Sequence, residues 1–278
     1  MLLPAFAVDD VIKTALREDI HYIDTTTDLM IPEDSRSSAR FLAKAEGVLC
    51  GVDVALRVFP LLDPAFRAEV YKKDGDRVRP GEVIAEVEGS TRALLKGERT
   101  ALNLLQHLSG VATATDRCVR IVEGTRASIA DTRKTLPGLR FLQKYAVTVG
   151  GGRNHRFNLS DGAMLKDNHI DAAGGITAAV NALRGQLGHM VKLEVETRTL
   201  AEVQEALDAG ADVIMLDNMD CPTMAEAVRL VGGKALLEAS GGITDETLRA
   251  VAETGVDIIS IGALTHSVKA LDISMKIR

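Results

Sequence analysis

The densest group of chemically capable side chains in this sequence lies between residues 131 and 170. DTRKTLPGLR (131–140) supplies Arg133 and Lys134, and GGGRNHRFNLSDGAMLKDNHI (150–170) supplies Arg153, His155, Arg156 and Lys166. The whole chain carries a net charge of -6, so this positive cluster runs against the average and predicts a small, strongly anionic ligand. Guanidinium forks and ammonium groups are the side chains that carboxylates and phosphates require. Further along, Glu196 closes KLEVE (192–196) and Asp217 closes DVIMLD (212–217). Hard oxygen donors of this kind suit magnesium or a ribose hydroxyl, and Lys166 is available as an electrostatic partner. In ASGGIT (239–244), Gly241 and Gly242 follow a strand and precede a helix, and SIGALTHS (260–267) repeats the pattern around Gly262. Two such turns at successive strand ends predict a phosphate site built from backbone N–H groups.

The histidines divide by context. His155, inside the basic segment, reads as a hydrogen-bond donor in the site; His107, His169 and His266 are equally well explained as structural; His21 and His189 carry no signal. Cys50, Cys118 and Cys221 are odd in number, widely spaced and outside any CxxC pattern, so they read as buried free thiols, not as a disulfide framework or zinc site. An acidic chain with 3% aromatic residues and no Trp lacks the basic stripe and stacking rings of a nucleic-acid surface. No apolar run reaches 18 residues, and MLLPAFAVDD lacks a basic flank, so the expected location is the cytoplasm.

These residues need elements to hold them. The first hundred residues contain short strand-like runs, 38–51 and 66–73, then DGDRVRPGE leading into VIAEVEG. This resembles a biotin- or lipoate-carrying module without the hairpin lysine, so it reads as antiparallel sheet. In FAVDDVIKTA (6–15) the acidic pair reads as an Asp cap starting a helix. From about 97 to 123 the apolar spacing predicts one or two helices. Beyond it, the runs ASIAD, AMLK, KLEVE, DVIMLD, ALLEAS and DIISIG alternate with helical stretches, which predicts βαβ units and a parallel sheet. Six or seven such units suggest an open or incomplete α/β barrel, TIM-like, with Asp131, Lys166, Glu196, Asp217, Ser240 and Gly262 meeting at its C-terminal mouth. Period-two alternation also puts Glu194 with Glu196, Met215 with Asp217, and Glu238 with Ser240 on common faces.

The two basic segments, with ERTALNLLQHLSGVAT (98–113), EVE (194–196), MLDN (215–218), EASGG (238–242) and GALTHS (262–267), resemble the signature segments of the quinolinate phosphoribosyltransferases, and LREDI…DTTT near the start agrees. The resemblance spans nearly the whole chain. It implies an α+β sandwich-like N-terminal domain over 1–108, a barrel over 109–266, and a C-terminal segment, 267–278, returning to the first domain. It also implies a homodimer, or a larger assembly of dimers, with Arg99 reaching into the neighbouring subunit's site. By the same resemblance Arg133, His155 and Arg156 face the quinolinate carboxylates, and Lys134, with Thr135 beside it, and Lys166 contact quinolinate and phosphoribosyl pyrophosphate. Glu196 and Asp217 hold ribose hydroxyls and magnesium, while Ser240, Gly241, Gly242, Gly262 and Ala263 hold the phosphate. No organic cofactor is implied. The rival readings are nicotinate phosphoribosyltransferase, a molybdenum-linked relative, and a catalytically silent phosphate-binding barrel.

Overall fold

The computed structural model describes residues 3–278; Met1 and Leu2, the first two residues of MLLPAFAVDD, lie outside the described residues. In chain order the first half contains α1 (Ala5–Asp19), α2 (Thr25–Met30), β1 (Arg36–Ala43), β2 (Gly47–Val48), α3 (Val52–Leu56), β3 (Arg67–Val70), β4 (Arg77–Val78), β5 (Val83–Ser90) and α4 (Thr91–Ile121). Then follow β6 (Ser128–Ala130), α5 (Arg140–Val149), β7 (Ala163–Leu165), α6 (Asp167–Ala173), α7 (Ile176–Arg184), β8 (Leu193–Thr197) and α8 (Leu200–Asp208). The chain ends with β9 (Val213–Asp217), α9 (Cys221–Val231), β10 (Leu236–Ser240), α10 (Asp245–Glu253), β11 (Ile258–Ser260), α11 (Ala263–His266) and β12 (Ile273–Ile277).

Two compact units result. The first comprises the chain up to Asp116 together with Leu136–Gly151 and Leu264–Arg278; the second comprises Arg117–Thr135 and Gly152–Ala263. In the first, an antiparallel sheet runs β12-β1-β5-β3, and β2 pairs with β4. Alternation places Ala39, Phe41 and Ala43 of β1 on one face, opposite Ile277, Met275 and Ile273 of β12. That face shares one core with Val8, Ile12 and Leu16, which recur every four residues along α1 and so form its single apolar stripe. Burial of each such aliphatic side chain is worth about 1.5–3 kcal/mol.

Four sequence expectations are adjusted here. Asp9 is not a cap: α1 starts after Pro4, whose φ of -69° already suits helix entry, and Asp9 sits inside the helix paired with Arg57 at 2.8 Å. The helix expected from about 97 is one continuous helix of 31 residues that starts at Thr91. Residues 136–151 belong to the first unit, not to the barrel, because α5 buries Leu142, Ala146 and Val147 in that core. Of the cysteines, Cys50 and Cys118 are buried free thiols, whereas Cys221 is only half-buried.

The second unit holds six parallel strands in the order β6-β11-β10-β9-β8-β7. It is a TIM-like sheet left open, since β6 and β7 occupy its two edges. Arg153 adds a parallel bridge to Ala130 on the β6 edge. The helices start where polar caps allow: the Thr199 side chain accepts the Glu202 N–H ahead of α8, and Asp220 accepts the Thr223 N–H ahead of α9. Val195, Ile214, Leu216, Ala239 and Ile259 are fully buried on one face of the sheet, which leaves the opposite alternation for polar residues. No helix is long and apolar enough to cross a membrane among the described residues.

Candidate active site

Strand register determines which polar residues share that opposite face. Met164 of β7 pairs with Glu194 of β8; Glu196 pairs with Met215 of β9, which also pairs with Glu238 of β10; Asp217 pairs with Ser240. The face therefore carries Met164, Glu194, Glu196, Met215, Asp217, Glu238 and Ser240, with Lys166 just past β7. At its C-terminal end opens a cavity of about 480 Å³ within the second unit. Ten residues predicted from sequence line it: Arg133, Lys134, His155, Arg156, Lys166, Glu196, Asp217, Ser240, Gly241 and Gly242. Thr135, Gly262 and Ala263 are not among its lining residues. Arg99 lies exposed on α4 in the first unit.

The basic wall is positioned by a buried acid. Asp131, fully buried at the end of β6, accepts the His155 backbone N–H at 2.9 Å and the Asn154 Nδ2 hydrogen at 2.6 Å. This ties the segment 153–156 to the strand and aims Arg156 inward. Nη1 of Arg156 donates to the Gly162 carbonyl at 2.8 Å. Burial and then the neighbouring Arg133 charge lower the Arg156 pKa, and Glu194 partly opposes them. The Nε of Arg133 is buried without a hydrogen-bond partner. Two guanidinium groups held this close, one with an unused donor, form a site arranged for an anion.

Beneath them lies a feature missed among the sequence candidates. His155 Nε2 sits 2.9 Å from Glu194 Oε2 and 3.7 Å from Glu238 Oε1, with both carboxylates buried. Burial first, and then the Glu194 charge, raise the Glu238 pKa to about 7. These three residues have ligand-type atoms within 4.8 Å of one another. Yet His155 Nδ1 accepts the Arg156 backbone N–H at 2.8 Å, so the ring proton belongs on Nε2, where it is donated to Glu194. A protonated Nε2 has no lone pair for a metal, and in this arrangement His155 acts as a donor to Glu194 with Glu238 beside them. Alternation was the available signal, since it places Glu194 and Glu238 on the faces of Glu196 and Ser240. Thr132, Asn218 and Ser260 also line the cavity and were not singled out.

Opposite the guanidiniums, Lys166 Nζ lies 3.3 Å from Glu196 Oε2. Asp217 Oδ2 accepts from Asn218 Nδ2 at 2.9 Å. The two carboxylates thus present oxygen donors to the cavity from adjacent strands, a donor set that fits a hard divalent cation or sugar hydroxyls. Ser240 accepts from the Ser260 hydroxyl at 3.1 Å, and Gly241 and Gly242 follow it with φ of 94° and 60°. Three other histidines are locally engaged: His107 with Gln143 at 2.9 Å, His169 with the Lys166 N–H at 3.0 Å, and His266 with Ser267 at 2.6 Å.

Comparison with known proteins gives this geometry a lineage. Residues 24–109 match the family description "Quinolinate phosphoribosyl transferase, N-terminal domain" and residues 111–276 match "Quinolinate phosphoribosyl transferase, C-terminal domain". The chain is 50% identical over 260 residues to a probable nicotinate-nucleotide pyrophosphorylase [carboxylating] of Bacillus subtilis, an alignment covering 94% of this chain and 90% of that protein. It is 44% identical over 293 residues to the chloroplastic nicotinate-nucleotide pyrophosphorylase [carboxylating] of Arabidopsis thaliana, covering 99% of this chain and 84% of that one. The crystal structure of NadC from Streptococcus pyogenes superimposes with a TM-score of 0.97 at 44% identity, covering 100% of this chain and 99% of that one. With both family domains matched and a cavity lined by arginines and lysines at the mouth of an open α/β barrel, the chain belongs to the quinolinate phosphoribosyltransferase family.

Proposed function

We infer that the chain carries out its family's reaction. It transfers the phosphoribosyl group of phosphoribosyl pyrophosphate to the ring nitrogen of quinolinate and releases pyrophosphate and carbon dioxide. The product is nicotinate mononucleotide, a precursor of NAD. The observation that carries this reading is a single cavity whose lining sets Arg133, Lys134, Arg156 and Lys166 beside Glu196 and Asp217. Two carboxylates of one substrate and the phosphate groups of the other supply the negative charge that four cations require.

The mechanism follows from charge. As pyrophosphate leaves, carbon 1 of the ribose becomes cationic and the quinolinate nitrogen attacks it. That nitrogen has no proton to lose, so no general base is needed at this step, and positioning with charge compensation supplies most of the catalysis. Arg133 and Arg156, with His155 beside them, face the quinolinate carboxylates. Lys134, with Thr135, and Lys166 contact both substrates. Glu196 and Asp217 hold the ribose hydroxyls, and they would also hold the magnesium that accompanies the donor. Such an ion would neutralise charge on the pyrophosphate. Ser240, Gly241 and Gly242, with Gly262 and Ala263 from the next turn, take the ribose phosphate. Once ribosylated, the pyridinium accepts the electron pair left as the adjacent carboxylate departs, and the ring carbon then takes up a proton.

We assign the working form as a cytoplasmic homodimer, with Arg99 of each chain completing its neighbour's site. Carbon dioxide release with quinolinate, then with nicotinate, tests the reaction. Quinolinate should be turned over and nicotinate should not, because an acceptor with one carboxylate leaves buried positive charge unpaired. Comparable turnover of the two would sink this reading.

A further inference from the structure

Asn218 is the one non-glycine residue with positive φ, 53°, among the described residues. It directly follows Asp217, and three contacts bind it to the site. Its backbone N–H donates to the Ser240 carbonyl at 2.9 Å. Its Nδ2 donates to Asp217 Oδ2 at 2.9 Å. Its side chain also fills the space beside Gly241: a Cβ built on Gly241 would lie 2.3 Å from Asn218 Oδ1 and 2.5 Å from its Cγ. Gly241, at φ 94°, is therefore required twice over, by its backbone and by its neighbour.

We propose that Asn218 is a positioning residue that locks the Asp217 carboxylate to the Ser240–Gly242 turn, so that sugar-hydroxyl acceptor and phosphate cradle form one rigid donor-binding unit. The proposal rests on the assignment of Asp217 to the ribose of the donor. The left-handed backbone turns the Asn218 side chain back over its own neighbour, the Asp217 carboxylate, while the main chain reaches across to β10. One oxygen of Asp217 is thereby oriented by an amide hydrogen and the other is left for the ligand. Two strand ends that could shift separately are tied by one residue, and quinolinate recognition at Arg133 and Arg156 does not depend on this tie.

The competing explanation is purely conformational, since Asn tolerates the left-handed region better than most residues. Asn218→Gly separates the two, because glycine keeps the backbone and removes the amide. Steady-state kinetics should show the KM for phosphoribosyl pyrophosphate rising about ten- to hundredfold, the effect of losing a hydrogen bond to a charged group. The KM for quinolinate and the thermal midpoint should stay near wild type. Asn218→Asp, which tolerates the same backbone but places a second carboxylate against Asp217, should raise the donor KM further. Gly241→Ala should harm wild type more than it harms the Asn218→Gly background, where the colliding side chain is gone. Asp217→Ala is the control for the underlying assignment. A donor KM unchanged in Asp217→Ala removes that assignment, and this inference with it. A donor KM within about twofold of wild type in Asn218→Gly, with Asp217→Ala impaired, overturns the positioning role alone.

Discussion

His155 gives its Nε2 proton to Glu194, while burial first, and then the Glu194 charge, raise the Glu238 carboxyl pKa to about 7. This has a measurable consequence. A carboxyl whose pKa is raised by folding binds a proton in the folded chain that the unfolded chain has already released above its ordinary value of about 4.3. Its stabilising contribution is complete below that value and is lost as pH rises towards 7. Glu238→Gln removes the titration, so the thermal midpoint of the variant should improve relative to wild type between pH 5 and pH 8. A constant difference across that range would argue that Glu238 is not the buried proton holder. Lys134 and Lys166 make a second residue-scale prediction. Replacing either by Ala removes a charge-assisted contact worth roughly 1.5–3 kcal/mol, so kcat/KM should fall at least ten- to hundredfold. Near-normal activity in either variant would refute its assignment.

At the scale of elements, the first unit depends on its C-terminal strand. The Gln106 Nε2 on α4 donates to the Ile273 carbonyl at 2.6 Å, the Leu271 N–H returns a bond to the Gln106 carbonyl at 2.9 Å, and β12 completes the sheet beside β1. Gly110 is where α4 comes closest to this return: a Cβ there would meet the Lys269 carbonyl oxygen at 2.4 Å. Gly110→Ala offers better helix propensity but forces the strap away, and overpacking of this kind costs about 1–3 kcal/mol. Chemical denaturation should show that loss. A stability gain, as expected for an exposed helix glycine, would show that the strap yields freely. The boundaries of α4 also show where sequence patterns fall short. Its start at Thr91 lies outside the clear apolar repeat, because the helix continues straight from β5 and its first turn is held by burial of Ala93 and Leu94.

At the scale of the whole molecule, Arg99 is the sharpest question. If it completes the neighbour's site, a symmetric dimer built from one Arg99→Ala chain and one Lys134→Ala chain contains one site with both residues and one with neither. Random reassociation makes about half the dimers mixed, so about a quarter of wild-type activity should return from two inactive variants. No recovery, after subunit exchange has been demonstrated, would mean that Arg99 serves its own subunit or only the fold.

The sequence by itself determined the order of strands and helices in the second unit, because buried parallel strands must be short apolar runs and the helices between them must be amphipathic. It also made the charged lining of the mouth legible: Arg133, Lys134 and Arg156 stand in two basic segments of an acidic chain, and Lys166, Glu196 and Asp217 at the ends of apolar runs. Tertiary structure decided what depends on contacts distant in sequence. Asp131 holding the 153–156 segment joins residues 24 positions apart, and Glu194 of β8 becomes the partner of His155 only when the folded sheet brings that strand against the same segment. The placement of 136–151 in the first unit was likewise decided by packing, since an amphipathic helix shows which face it buries but not against which core. Asn218 joins both kinds of information. Its type permits the left-handed backbone, but only the close approach of the Gly241 turn shows what that conformation holds in place.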